Sequence, residues 1–152
     1  MTTPSTPKPA VSVATTVWSG SLAGGRGLVN LDSSDTARLP VTWPARAEGT
    51  SPAAQSTTPE ELLAAAHASC YSMALTHMLG EAGGSAESIT TTARVGFVAG
   101  VGITGVDLHV KVQVSTLPKQ PETLIDIARS AKDNCPVSLA LRVPITLTVD
   151  QR

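Results

Sequence analysis

The sequence predicts an α+β fold with an antiparallel sheet by preference. Strand-like segments with alternating apolar residues cluster at the start and in the middle of the chain. Two helical patterns accompany them, one from Thr58 to about Gly80 and one from Pro121 to Asn134. Because strands and helices do not alternate one by one, a parallel α/β sheet is not expected.

The first ten residues predict a disordered tail, and a single domain is expected over residues 11–152. The tail holds three prolines among Ser and Thr, and it cannot bury enough apolar surface to offset the entropy of ordering. Strand-like sequence then runs from Val11 to Trp18. A glycine-rich turn follows at residues 24–27 before a second apolar run at residues 28–31, and this pattern is typical of a hairpin.

The next segment predicts an edge strand and a loop. Residues 39–43 are strand-like, and Pro40 fits only where its missing amide donor does no harm. Residues 44–57 are small and polar, so we expect a loop there.

The clearest helix signal begins at Thr58. Thr58 can cap the helix, Pro59 suits its first position, and Glu61 completes a capping box. Gly80 or the pair at residues 83–84 ends the pattern. Apolar or chemically versatile side chains recur at three- and four-residue steps and predict one stripe: Leu63, Ala66, Cys70, Met73, Ala74 and His77.

The second half predicts a sheet and a further helix. Residues 89–98 and 105–115 are strand-like, and the second alternates valine or leucine with polar residues, as a sheet with one wet face requires. A helix is expected to open at residues 121–122 and to reach Cys135. A short helical turn through Leu141 and a last strand at residues 145–149 complete the chain.

The first long helix carries apolar residues nearly all around it. Such a helix must be covered on all sides, and one small sheet covers a single face. We therefore predict a second subunit on the other face. A loosely packed monomer with an alanine-rich helix is the alternative.

Composition narrows the function classes. Lys and Arg number 11 against 12 Asp and Glu in 152 residues, without a basic run, so neither nucleic acid nor anionic lipid is an expected partner. No apolar stretch approaches a membrane span, and the start of the chain does not resemble a signal peptide. The prediction is a cytoplasmic protein, in which a cysteine pair tends to be catalytic, redox-active or metal-binding.

The two cysteines, Cys70 and Cys135, are the main candidates for chemistry. Cys70 lies too deep in its helix to gain from the helix N-terminus, so a reactive thiolate there needs a nearby cation. Without one, Cys70 would be a buried, inert thiol. Cys135 precedes Pro136 and could cap a second helix, or it could be a small buried turn residue.

Two further arrangements compete with a redox pair. His67, Cys70 and His77 share a helix face and could bind zinc together with Cys135, although the spacing lacks the paired knuckles of structural zinc sites. His67 and Cys70 could also act as base and nucleophile in acyl transfer, but no oxyanion-hole motif accompanies them.

Two long motifs resemble the OsmC (osmotically inducible protein C) branch of the OsmC/Ohr family. The first comprises TPEEL at residues 58–62, AAHASCYSMAL at residues 65–75 and LGEAG at residues 79–83. The second is AKDNCPVS at residues 131–138. With the early Trp-Ser-Gly at residues 18–20 and the late Pro-Ile-Thr-Leu at residues 144–147, the match covers nearly all of the chain after residue 10.

The resemblance implies an intertwined homodimer whose antiparallel sheets wrap central helices, and a thiol-dependent peroxidase acting on organic hydroperoxides in oxidative or osmotic stress defence. It implies Cys70 as the peroxidatic and Cys135 as the resolving cysteine, joined by a disulfide during turnover. It implies no metal and no bound cofactor, but an external dithiol reductant, with lipoyl groups as the family-level expectation. The alternative on the same fold is a non-catalytic redox sensor or binding protein.

The resemblance also implies a charged pair. Glu60 matches the family glutamate; its alternative role is a helix-start carboxylate, which Glu61 already fills. Arg46 in Arg-Ala-Glu-Gly matches the arginine motif of the OsmC branch and is the first choice, whereas Arg26 in Gly-Gly-Arg matches the Ohr branch and is the second. The chain departs from the family in extra residues before Pro59 and in Thr58, where the family usually has Asn.

Spacing adds one inference about Glu60. Ten residues at a rise of 1.5 Å place it about 15 Å from Cys70 along one helix, which is more than an arginine–glutamate pair spans. We therefore predict active sites shared between subunits.

Overall fold

The computed structural model describes residues 8–118 and 123–151, which form two compact units on either side of the Thr57–Thr58 bond. Of the tail predicted for residues 1–10, residues 1–7 lie outside the described part, and residues 8–10 are exposed without regular structure. The prediction of one domain over residues 11–152 stays a prediction.

The N-terminal unit is a small antiparallel sheet. Its strands β1 (Thr15–Ser19), β2 (Arg26–Asn30) and β3 (Arg38–Val41) pair in chain order. The hairpin is confirmed, although its first strand begins at Thr15 rather than at Val11. Gly27 is required within β2, since a Cβ there would lie 2.7 Å from Val41 Cγ2.

The loop predicted over residues 44–57 is wrong in part. Helix α1 occupies Trp43–Glu48, and a 3₁₀ turn follows at Pro52–Ala54. The Thr42 hydroxyl accepts a hydrogen bond from the Ala45 N–H at 3.4 Å and caps α1. A cap and a proline in the first turn thus suffice for a short helix without an apolar stripe, which is why apolar periodicity did not reveal it.

The second unit begins with helix α2 (Pro59–Glu81), as predicted. Thr58 caps it by accepting a hydrogen bond from the Glu61 N–H at 3.0 Å. The buried face of α2 is not the predicted stripe. His67, Tyr71, Leu75 and Leu79 are buried at four-residue steps, whereas Met73 is 67% exposed. The side chains of the predicted stripe are partly or fully exposed on this chain: Leu63, Ala66, Cys70, Met73, Ala74 and His77.

A second sheet packs against α2. Strands β4 (Ser85–Val98) and β5 (Gly102–Thr116) are antiparallel neighbours, and β6 (Ile145–Gln151) lies beside β5. The predicted alternation in β5 is confirmed, because Leu108 and the valines at positions 106, 110 and 112 are buried and alternate with more exposed polar residues. The antiparallel preference is wrong for β6, which pairs with β5 in parallel. Two helices lie between these strands in sequence and supply the crossover that a parallel pair needs.

Those helices are α3 (Leu124–Asn134) and α4 (Pro136–Ala140). The predicted opening of α3 at residues 121–122 lies outside the described part of the chain. Thr123 and Asp126 cap each other's backbone N–H groups at its start. One core joins α2, α3 and β5 and is formed by Tyr71, Leu75, Leu79, Val106, Leu108, Val110, Val112, Ile127, Ala128 and Ala131. Within the described residues, no helix combines the length and the apolarity that crossing a lipid bilayer demands.

Candidate active site

Cys70 lies in the middle of α2, on the border between its buried and its accessible face. It is partly exposed and packs against the edge of the core. Eleven residues of the helix precede it, so the partial positive charge of the helix N-terminus does not reach its sulfur.

Cys135 lies at the junction of two helices. It follows the last residue of α3 and precedes Pro136, the first residue of α4, so it caps both elements. The residue is fully buried. Its Sγ lies 3.3 Å from Cys70 Sγ, although the two residues are 65 positions apart and both thiols are free. Closing this gap to the roughly 2.05 Å of a disulfide takes only a small movement.

The surroundings of the two sulfurs differ in what they do to a negative charge. Burial raises the pKa of the Cys70 thiol; the Val137 N–H opposes that rise, and the neighbouring Cys135 adds to it. Burial also acts on Cys135, but stabilisation of its thiolate by the Ser138 N–H, the Cys70 thiol, the Ser138 hydroxyl and the Val137 N–H outweighs burial and lowers its pKa. Two sulfurs this close titrate as a pair. The first thiolate shares the remaining proton with its neighbour, and its negative charge disfavours loss of that second proton.

Access separates the two thiols. An open pocket of about 380 Å³ has Cys70 in its wall and Cys135 behind it. A reactant that enters this pocket meets Cys70 first, because Cys135 has no exposed surface. The other residues of the wall are mostly apolar: Met73, Ala74, His77, Met78, Asn134 and Pro136.

The predicted charged residues occupy separate elements. Glu60 is buried in the first turn of α2, which runs unbroken to Cys70, so the two are about 15 Å apart along the axis. Arg46 is half-buried in the last turn of α1, and Arg26 is exposed as the first residue of β2. Both arginines belong to the N-terminal unit, and the two cysteines belong to the second unit.

The histidines proposed as zinc ligands have other partners. His67 Nε2 lies 2.8 Å from the Ser138 hydroxyl, and His77 lies 3.7 Å from the exposed Glu81. Among the residues that the structure describes, no group of three or more His, Cys, Asp or Glu could hold a metal ion. Sequence reasoning missed Ser138 as a member of the site. The signal was its place three residues after a helix-capping cysteine.

Tyr71 fixes the separation between α2 and α3 beside the two thiols. Its hydroxyl donates a hydrogen bond to the carbonyl oxygen of Ala128 at 3.0 Å, and the ring is fully buried. Burial raises the pKa of this phenol, with a contribution from Cys135, so it stays neutral. The contact joins α2, at the residue after Cys70, to the first half of α3.

Comparison with known proteins gives one consistent answer. A sequence model of the family described as "OsmC-like protein" matches residues 51–150. The chain is 41% identical over 133 residues to the Peroxiredoxin OsmC of Escherichia coli, an alignment that covers 86% of this chain and 89% of that protein.

Solved structures share the fold. An organic hydroperoxide resistance protein OsmC from Legionella pneumophila superposes with a TM-score of 0.67 at 24% identity, over 93% of this chain and 99% of that one. A protein from Vibrio cholerae, described as a putative organic hydroperoxide resistance protein with captopril bound in one of its active sites, gives a TM-score of 0.66 at 25% identity. That alignment covers 97% of this chain and 94% of the Vibrio chain.

Proposed function

The chain belongs to the OsmC-like protein family, and from that premise we propose that it is a thiol-dependent peroxidase that reduces organic hydroperoxides to alcohols. Its 41% identity to a peroxiredoxin supports a peroxidase or redox role. The observation that carries the proposal is the pair of free sulfurs 3.3 Å apart, one accessible and one buried. A cytoplasm, where free thiols stay reduced, is the compartment that suits this chemistry.

The first step uses Cys70. Its thiolate attacks one peroxide oxygen, the O–O bond breaks, and the departing alkoxide takes a proton and leaves as an alcohol. Cys70 becomes a sulfenic acid, having lost two electrons to the peroxide. The Met73 and Met78 side chains in the pocket wall suit the alkyl group of an organic hydroperoxide.

The second step uses Cys135. Its sulfur attacks Cys70 Sγ, the S–O bond breaks and water leaves, so that the two cysteines are joined by a disulfide. An external dithiol, with a lipoyl group as the proposed carrier, then returns both thiols and becomes a disulfide itself. No metal or bound cofactor takes part in these steps.

Activation of Cys70 requires a positive charge. Burial raises the pKa of this thiol, and an added cation would move the shared proton onto Cys135 and leave the charge on Cys70. We propose Arg46 for this role, with Arg26 as the second choice, because a guanidinium stays charged and presents several donors. Glu60 would hold the guanidinium in position.

The charged pair would come from the other subunit of a homodimer. Glu60 and Cys70 share one unbroken helix and are about 15 Å apart, which is too far for an arginine held by Glu60 to contact Cys70 of the same chain. The accessible face of α2 around Met73 supplies apolar surface for a second copy.

Turnover and mass together test the proposed function. We expect steady reduction of cumene hydroperoxide with a dithiol such as dihydrolipoamide. Without reductant, one equivalent of peroxide should remove two hydrogens from the protein mass and link the Cys70 and Cys135 peptides. A disulfide without dithiol-driven turnover would instead indicate a redox sensor, and a mass gain with both thiols unchanged would contradict both readings.

Mixed dimers test the shared site. When a Cys70→Ser protomer is paired with a Glu60→Ala protomer, one of the two sites regains both residues, so we expect about half of the wild-type activity per dimer. Both parent homodimers should show little activity. The matched control is Glu61→Ala, which removes the exposed neighbouring carboxylate. Homodimers of this variant should remain active. Mixed dimers as inactive as their parents would show that each site is built within one chain.

A further inference from the structure

A buried histidine lies near the two cysteines and takes no part in the attack on peroxide or in the sulfur–sulfur bond. His67 has no exposed surface and lies one helical turn before Cys70 on α2. Its Nε2 is 2.8 Å from the Ser138 hydroxyl. Its Nδ1 is also buried, and within the described ranges this atom has no hydrogen-bond partner. The fold thus buries an imidazole for a single polar contact.

That contact reaches the helix that Cys135 caps. Ser138 is the third residue of α4, the position whose backbone N–H faces the capping residue, which here is Cys135. The Ser138 hydroxyl and N–H are among the groups that lower the pKa of Cys135. Two contacts are thus in place, one from His67 Nε2 to the Ser138 hydroxyl and one from Cys135 Sγ to Cys70 Sγ, and the Cys135 thiol makes no side-chain capping hydrogen bond to α4.

The number of available protons limits how His67 and Ser138 can be oriented. Burial lowers the pKa of His67, so the ring is neutral and donates through one nitrogen. Ser138 has one hydroxyl proton, and it can point to Cys135 only if His67 donates its Nε2–H to the Ser138 oxygen. In that tautomer Nδ1 is an acceptor without a partner, which folded proteins tolerate better than a buried N–H without one.

We propose that His67 is a positioning residue for the resolving sulfur: by donating its Nε2–H to Ser138, it turns the Ser138 hydroxyl toward Cys135 and favours the thiolate that closes the disulfide. This inference rests on the proposed function. It assigns His67 to the second step of the reaction rather than to the attack on peroxide.

The step balances without an added reagent. Cys135 loses its proton to solvent and attacks Cys70 Sγ, where an S–S bond forms and the S–O bond of the sulfenic acid breaks. The departing hydroxide takes up one proton and becomes water. The net change is one sulfenic acid and one thiol converted to a disulfide and water, and Ser138 keeps its own proton throughout.

The other titratable groups around Cys135 do not replace this arrangement. From α2, Cys70 faces it, but it is a sulfenic acid when Cys135 must ionise, and the Tyr71 hydroxyl donates to Ala128. The last turn of α3 carries Lys132 and Asp133, which pair with each other at 3.2 Å. Helix α4 itself holds no titratable side chain. Among these groups, the Ser138 hydroxyl is the side-chain donor that remains to stabilise a Cys135 thiolate after Cys70 has been oxidised.

Titration of Cys135 tests the inference directly. In full-length protein carrying Cys70→Ser, thiolate absorbance reports the Cys135 pKa without any peroxide. Because a hydrogen bond to a charged group is lost, Ser138→Ala should raise this pKa by about one unit. His67→Asn should raise it similarly, whereas His67→Gln, whose amide nitrogen can occupy the place of Nε2, should preserve most of the low value. The double variant of Ser138→Ala and His67→Asn should add nothing further.

A kinetic measurement separates positioning from a general structural effect. After one equivalent of peroxide, the pH at which disulfide closure reaches half of its maximal rate should rise by the same amount, about one unit, in His67→Asn. The rate of sulfenic acid formation, followed with Cys135→Ser, should change several-fold less than the rate of closure.

Three results would overturn the inference: an unchanged Cys135 pKa in Ser138→Ala, equal effects of His67→Gln and His67→Asn, or additive effects in the double variant. If the His67 variants do not fold, the Cys135 pKa is compared between Ser138→Ala and Ser138→Thr, which keeps the hydroxyl. Equal pKa values in these two variants would overturn the inference. Loss of turnover in the wild type would refute the proposed peroxidase, yet the titration would still read out the positioning separately.

Discussion

Cys70→Ser should abolish peroxide reduction, with kcat/KM lowered by at least about a thousandfold. A serine hydroxyl is not ionised near neutral pH, and its oxygen is a far poorer nucleophile toward a peroxide than a thiolate sulfur. The substitution exchanges one sulfur atom for a smaller oxygen at a partly exposed position, so the fold should persist. The measurement is the initial rate with cumene hydroperoxide and a dithiol.

Cys135→Ser is the matched control, and its defect should differ in kind. Its Cys70 remains able to attack one equivalent of peroxide, since Cys70 lines the pocket and Cys135 does not. The product should be a trappable sulfenic acid and no intramolecular disulfide. If Cys70→Ser retained substantial turnover while Cys135→Ser lost the first step, the assignment of the two sulfurs would be reversed.

Ile127→Ala should strongly lower the stability of the protein. Ile127 lies on α3, is 3% exposed and belongs to the core between α2 and β5. Truncation removes three buried carbon atoms and leaves a cavity, so the free energy of unfolding should fall by about 3 kcal/mol. Urea denaturation of the reduced protein measures this loss as a lower midpoint.

The same helix supplies a matched control in Ile125. This isoleucine is two positions away and 47% exposed. Ile125→Ala should lower the free energy of unfolding by less than about 1 kcal/mol, because much of the side chain already faces solvent. Equal losses at both positions would mean that the exposed face of α3 is covered in solution, for example by a second copy.

Local signals in the sequence predicted most of the second unit. Thr58, Pro59 and the glycines near residue 83 fix the ends of α2, and the alternation in β5 fixes its buried face. Which face of α2 is buried could not be predicted, because the helix is apolar on several sides and only tertiary packing selects one. The parallel placement of β6 likewise depends on where α3 and α4 carry the chain.

The cysteine motifs identified the two sulfurs, but not their surroundings. Sequence spacing says nothing about whether residues 65 positions apart meet, and their 3.3 Å separation is a property of the packing of α2 against the α3–α4 junction. His67 was noticed only as a ligand or a base. Its contact with Ser138 joins residues 71 positions apart, so no local pattern could have revealed it.

The nearness of the two sulfurs bears on the choice of reductant under the proposed mechanism. A monothiol that opens the disulfide forms a mixed disulfide with one cysteine and releases the other. The released cysteine stays a few ångströms away at a very high effective molarity, so it displaces the monothiol before a second monothiol collides. A dithiol carries its own second sulfur and completes the exchange within one encounter. The short distance between the two sulfurs thus favours reductants that carry two thiols over reductants that carry one, whatever their shape.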